Sequence, residues 1–199
     1  MKKWVVMICM AVFLAALQPQ RGWSQDSYSA ADISVGYSLL RQSTVRTTNH
    51  GWNFAIAPSI NSNLAFVVDF AGHYGSFNES DLFGSLRADV QSHSIMVGPR
   101  VSETAVNWRP FAQALVGYHR TSLDFRDQFL NFPATVDADT RSGVQFTAGA
   151  GIDYRVNDDV SIRLVQAEYA AQRWTDSDGT IEGARIGAGI VFHLGRREP

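Results

Sequence analysis

Residues 183–195 read GARIGAGIVFHLG, and no other stretch constrains the fold of this chain as tightly. Ala184, Ile186, Ala188, Ile190, Phe192 and Leu194 share one parity and are all apolar. Gly183, Arg185, Gly187, Gly189 and His193 hold the other parity, where Val191 is the one large apolar member. Alternate side chains of an extended chain point to opposite faces. One face of this strand is therefore hydrocarbon, and the other is mostly bare backbone carrying an arginine and a histidine. A soluble barrel would bury the bulky set and show polar residues to water. Here the polar set is too small for that role, and its sizes suit the inside of a narrow cylinder.

The same division runs through the rest of the chain. Ile33, Val35, Tyr37 and Leu39 oppose Asp32, Ser34, Gly36 and Ser38; Trp52, Phe54, Ile56 and Pro58 oppose Asn53, Ala55, Ala57 and Ser59. Phe66, Val68, Phe70 and Tyr74 oppose Asp69 and His73, and Val144 to Tyr154 oppose Gln145 to Asp153 in the same way. Period-two alternation predicts eight strands, at about 30–40, 51–60, 64–74, 90–101, 107–120, 141–155, 160–173 and 181–195. No segment shows a convincing helical period. Bilayer hydrocarbon admits only helices or closed barrels, because every backbone polar group must be paired within the protein.

The connections carry independent information. Tight turns are expected at NSN (61–63), at SETAV (102–106) and near NDD (157–159). The other four connections, 41–50, 75–89, 121–140 and 174–180, are longer and rich in Asp, Ser, Thr, Asn and Gly. Short and long alternate strictly, so an up-and-down sheet would gather the short turns and both chain ends on one side. Short periplasmic turns with longer external loops are the layout of an outer-membrane barrel. Within the 121–140 connection, Phe125, Phe129, Leu130 and Phe132 are expected to fold over the barrel mouth. Aromatics near strand ends (Trp52, Tyr74, Trp108, Tyr118, Tyr154, Tyr169, Trp174, Phe192) are expected to form interfacial girdles.

The first residues belong to a different argument. Lys2 and Lys3 precede an unbroken apolar run from Trp4 to Leu17, and Gly22 and Ser24 supply the small residues of a cleavage site. Residues 1–24 therefore read as a secretory signal peptide, and the apolar run is too short for a membrane-spanning helix. The only cysteine, Cys9, would leave with it, removing disulfide and thiol chemistry from residues 25–199. Those residues carry fourteen arginines and no lysine against nineteen acidic side chains. That balance argues against nucleic acid as a partner.

With the signal, the alternating connections and the segments PFAQALVGY (110–118), RLVQAEY (163–169) and GARIGAGIVFHLG in view, the chain resembles the OmpA-type small outer-membrane β-barrel domain family of Gram-negative bacteria. The expectation is an all-β fold, an eight-stranded antiparallel up-and-down transmembrane β-barrel spanning residues 25–199 behind a cleavable signal peptide. The resemblance implies residence in the outer membrane, contact with outer-membrane lipid and lipopolysaccharide, and handling by the barrel assembly machinery during insertion. A monomer is expected, with an external loop partner the sequence does not identify. Larger relatives continue into a peptidoglycan-binding domain, whereas this sequence stops after its eighth strand.

By parity, Asp69, Arg100, Asp153 and Arg185 point into the lumen; if Gln166 and Glu168 also face inward, strict alternation turns Arg163 out. A bulge near Leu164–Val165 would bring Arg163 inside as well, the preferred reading; otherwise it lies low enough to reach the headgroups. Asp69, Arg100, Asp153, Arg163, Glu168 and Arg185 are expected to form an ion-pair network that plugs the barrel, with Glu168 and Arg185 paired on adjacent strands. No catalytic residue, cofactor or metal is expected: the five histidines are scattered, and His93 and Ser94 point to opposite faces of one strand. The sequence thus favours a non-enzymatic barrel with a structural or surface-interaction role. Two other readings stay open: a lipid-modifying barrel enzyme of the lipid A deacylase type, needing Ser, His and an acid together, and a soluble lipocalin-like ligand-binding barrel.

Overall fold

A computed structural model describes residues 28–43, 48–81, 84–129, 132–175 and 179–197; for 77–81, 84–88, 123–129, 132–139 and 196–197 it describes the backbone alone. The segment read as a signal peptide lies outside the described residues. Every regular element described is a strand: β1 (Tyr28–Gln42), β2 (Thr48–Pro58), β3 (Leu64–Asp81), β4 (Gly84–Ser102), β5 (Trp108–Phe129), β6 (Phe132–Arg155), β7 (Val160–Trp174) and β8 (Thr180–Arg197). Each pairs antiparallel with its sequence neighbours, and β8 pairs with β1 from Tyr28↔Arg197 to Gln42↔Gly183, closing the barrel. Following the register once round from Ile33 returns to β1 at Ser43, ten residues further on. With eight strands such a stagger gives a cylinder just wide enough for interior side chains to fill.

The bulky set faces out. Val35, Tyr37, Trp52, Phe66, Phe146, Tyr169, Ile186, Ile190 and Phe192 are all exposed. In water such a continuous apolar surface would drive aggregation; in lipid it is the required exterior. This removes the lipocalin-like reading, which needs those side chains inside. One aromatic departs from the expected girdle. Trp174 lies on the inward parity of β7 and packs edge-on against buried His119, ring centroids 4.6 Å apart. Beyond the bulge described below, the even-numbered residues of β7 point inward.

Two expected loops are not loops. Residues 75–89 and 121–140 continue as paired strands, with rungs as far as Asp81↔Gly84 and Phe129↔Phe132. The ladder of β3 with β2 ends at His50↔Tyr74, and that of β6 with β7 ends at Gly143↔Trp174. Above that rim β3, β4, β5 and β6 form a four-stranded sheet standing clear of the barrel. Phe125, Phe129 and Phe132 lie within this hairpin backbone rather than in a loop across the mouth, and Leu130 falls outside the described residues.

The turn between β4 and β5 carries local strain. Ala105 and Trp108 exchange backbone hydrogen bonds, and Val106 between them has φ +53°, a region that costs a β-branched side chain. Val106 is almost fully exposed, so its side chain gains nothing by packing. Val106→Gly is expected to raise unfolding stability by about 1 kcal/mol, and a lowered urea midpoint would contradict the strain.

Candidate functional site: a charged and sealed lumen

The lumen is filled from the periplasmic-type mouth, where the short turns lie, upward. In the lowest layer Asp32 on β1 accepts from three sides: Arg109 Nη1 at 2.7 Å, Ser29 Oγ at 2.6 Å, and His193 Nδ1 at 2.8 Å. His193 Nε2 lies 2.7 Å from Ser161 Oγ, and Arg109 Nε donates to Ser102 Oγ at 3.2 Å. Strand neighbours bring this about, since β8 sits between β1 and β7 in the closed sheet.

In the next layer Arg163 grips Asp153 with two nitrogens, at 2.8 and 3.1 Å, and donates a third bond to Gln166 at 2.9 Å. A bulge makes this possible. Asp153 pairs with Arg163 while Ile152 pairs with Val165, so Leu164 is the extra residue, and both Leu164 and Val165 face outward. Arg163 and Gln166, three apart in sequence, therefore both point inward. The Phe111 ring lies under two guanidiniums, those of Arg163 at 4.4 Å and Arg100 at 4.8 Å from its centroid.

Above these a spoke of hydrogen bonds crosses the lumen. Arg100 Nε donates to Gln113 Oε1 at 2.8 Å, and Gln113 Nε2 donates to Glu168 Oε1 at 2.6 Å. Arg185 donates from Nε to Glu168 Oε2 at 2.5 Å and from Nη1 to Asp69 Oδ1 at 2.8 Å. Glu168 and Arg185 are direct register partners. Four carboxylates (Asp32, Asp69, Asp153, Glu168) thus face four guanidiniums (Arg100, Arg109, Arg163, Arg185), so the interior is balanced as a whole. Arg185 holds two acids, while Arg100 forms no ion pair among the described residues; each leaves its Nη2 without a hydrogen-bond partner.

The remaining volume is occupied by other means. Ala55, Ala57, Ala65, Val67, Met96 and Leu115 make an apolar cluster on the β2–β5 side. Toward the external end Ser38 meets His73 at 2.9 Å and Gln172 bonds both Gln42 and Gln145. Beside β8, where Gly187 and Gly189 take no space, a cavity of about 10 Å³ borders Arg163, Gln166 and Arg185. That is room for about one water and not for a substrate. Among the described residues no group of three His, Cys, Asp or Glu side chains is placed to hold a metal ion.

Parity puts Asp32 and His193 on the inward face in the sequence, but the expected network left them out, together with Arg109, Gln113 and Ser161, which share the inward parity. Ser161, His193 and Asp32 stand in the hydrogen-bond order of a serine hydrolase, a trio that parity alone had not assembled. The surroundings do not match the chemistry. Ser161 is 2 % exposed, its backbone lies within the β-ladders to Arg155 and Val191, and the cavity just described does not border it. A nucleophile needs a space for the acyl group and free donors for the oxyanion, and this serine is locked between packed neighbours.

The exterior is polarised end to end. Outward strand positions near the short turns include Ile33, Pro58, Phe66, Pro99, Trp108, Tyr154, Ile162 and Phe192, all eight uncharged. Near the opposite rim the outward positions include Arg41, His50, Tyr74, His93, Arg120 and Arg173, all exposed.

Comparison with known proteins decides the class. The sequence model of the outer membrane protein beta-barrel domain matches residues 7–194. The chain belongs to this family. This outer-membrane barrel therefore resides in the bacterial outer membrane, its short turns toward the periplasm and its projecting sheet outside. No curated protein matches it in sequence. Among solved structures it is similar to Ail, the attachment invasion locus protein of Yersinia pestis, determined with the heparin analogue sucrose octasulfate. That match has 18% identity and TM-score 0.55, covering 83% of this chain and 99% of the other. It is also similar to Neisserial surface protein A, at 14% identity and TM-score 0.59 over 82% of this chain and 96% of that one. The outer membrane protease OmpT from Escherichia coli matches at 9% identity and TM-score 0.51 over 88% of this chain and 99% of its own. At these identities the likeness is one of fold, and a fold that carries a protease as well as surface proteins leaves activity to be argued from the site.

Proposed function

We propose that this outer-membrane barrel is a non-enzymatic scaffold that presents its projecting sheet to partners outside the cell. The observation that carries this reading is the contrast between the two ends. The interior is packed and charge-balanced from mouth to rim, while β3, β4, β5 and β6 run on beyond the last closed ring of strands. Beyond the rim the register sets Phe77, Ala88, Phe125 and Val136 in one cross-strand row and Asn78, Arg87, Arg126 and Thr135 in the next. The first row is apolar and the second polar. Residues 75–89 and 121–141 hold seven carboxylates against three arginines, so the sheet is acidic and suits basic partners. Neighbours named for attachment and for the cell surface lend support.

The Ser161–His193–Asp32 trio supports a second reading, a hydrolase, and one experiment separates the two. Both hairpins are shortened to turns, joining Tyr74 to Gln91 and Ser122 to Arg141, and the folded barrel is confirmed by its heat-dependent gel migration. Cells displaying the shortened barrel are expected to lose adherence to basic-protein-coated surfaces while the full barrel retains it. The full barrel is expected to resist labelling by a fluorophosphonate and to stay silent in a planar bilayer. Labelling abolished by Ser161→Ala, stepwise conductance, or unchanged adherence after shortening would each overturn the proposal.

A further inference from the structure

Tyr74, His93 and Arg120 lie on three adjacent strands, β3, β4 and β5, and all three face outward at the external rim. The Tyr74 hydroxyl lies 3.1 Å from His93 Nε2, with the rings edge to face at 5.7 Å. His93 and Arg120 are direct register partners. No residue among those described forms a salt bridge or hydrogen bond with the Arg120 guanidinium. Immediately below, on the same β4–β5 face, Ile95 pairs with Tyr118 and Val97 with Val116, all four exposed and apolar in character. A cationic and hydrogen-bonding head therefore stands directly above a hydrocarbon wall, at the level where the barrel passes from acyl chains to headgroups.

We propose that this face binds a phosphorylated glycolipid of the outer leaflet, its phosphate held by Arg120, His93 and Tyr74 and its acyl chains lying along Ile95, Val97, Val116 and Tyr118. A guanidinium matches a phosphate through two parallel charge-assisted bonds. The Tyr74–His93 pair contributes a donor in either neutral tautomer. If the hydroxyl donates to Nε2, the ring proton sits on Nδ1 and is free to donate; if Nε2 donates, the hydroxyl hydrogen is free instead. Tyr74, His93 and Arg120 stand at the rim from which β3–β6 project, the external side of the barrel, so the lipid they meet is that of the outer leaflet. The apolar wall selects a lipid over a free phosphate.

The test uses the full barrel purified in detergent and native mass spectrometry to count bound lipid. The probes are lipid A with both phosphates, lipid A stripped of phosphate, and inorganic phosphate as competitor. Wild type is expected to retain diphosphorylated lipid A, to hold the stripped lipid about tenfold or more weakly, and to be little affected by the competitor. Arg120→Gln is expected to lose the preference for phosphate, and Arg41→Gln, on the far side of the barrel, to keep it. Heat-dependent gel migration establishes that each variant folds. Equal retention of stripped and phosphorylated lipid by wild type would overturn the proposal without any variant. Arg120→Gln retaining wild-type preference, or full displacement by inorganic phosphate, would overturn it as well.

Discussion

Arg185→Met is expected to destabilise the folded barrel by about 3–5 kcal/mol, read as a lowered urea midpoint in lipid vesicles with the lipid-facing tryptophans as reporters. The cause is what the substitution leaves behind. Asp69 and Glu168 share this one guanidinium, and both are almost completely buried. Removing it strands two carboxylates in a lumen with no bulk water to solvate them. Neutralising all three positions together, Asp69→Asn with Glu168→Gln and Arg185→Met, is expected to recover most of the loss, because a buried network replaced as a unit leaves no lone charge. The loss in the Glu168→Ala, Arg185→Ala double variant should likewise fall below the sum of the single losses. Additive losses would show that the groups do not interact. Arg100→Met is the informative contrast. That guanidinium has no acid of its own and donates to the neutral Gln113, so its removal should cost markedly less than that of Arg185.

Ile186→Arg is expected to cost about 2–4 kcal/mol, although the residue it replaces is exposed. On a soluble protein an arginine at such a position would be nearly neutral. Here Ile186 stands on the apolar face of β8, next in sequence to Arg185, which is harmless because it points the other way. Gly187→Ser is the matched control on the lumen side. A Cβ there meets Tyr37 O at 3.1 Å and Ser38 Cβ at 3.3 Å, a tight but accommodating fit beside the small cavity. A tolerated Ile186→Arg in lipid vesicles would contradict the orientation of the entire sheet.

Much of this architecture is legible in the sequence, because parity is a rigid consequence of extended backbone. Once Ala184 to Leu194 are placed outside, Arg185 must be inside, and the same logic places Asp69, Arg100, Asp153 and Glu168. Arg163 was harder. Strict alternation puts it in lipid, and only the extra residue at Leu164 turns it inward. What parity cannot supply is which interior groups meet across the lumen. That depends on the stagger of the strands, so the junction of Asp32 with Arg109, 77 positions apart, and the relay through Gln113 had no local signature. The projecting sheet looks like loop in the sequence for a different reason. Beyond the bilayer the backbone no longer needs a hydrocarbon face on every strand, and segments such as SFNESDLFGS (76–85) acquire the composition of loops while keeping the pairing of strands.

The final strand bears a burden beyond its own length. It furnishes the arginine that clasps Asp69 and Glu168, and the imidazole that joins Ser161 to Asp32. It also zips the seam to β1 over most of its length. Before its arrival the seven preceding strands expose two raw margins and hold acids awaiting a counter-charge. Entry into the bilayer should consequently resemble fastening a clasp, with halfway stages penalised simultaneously along the margins and at the axis.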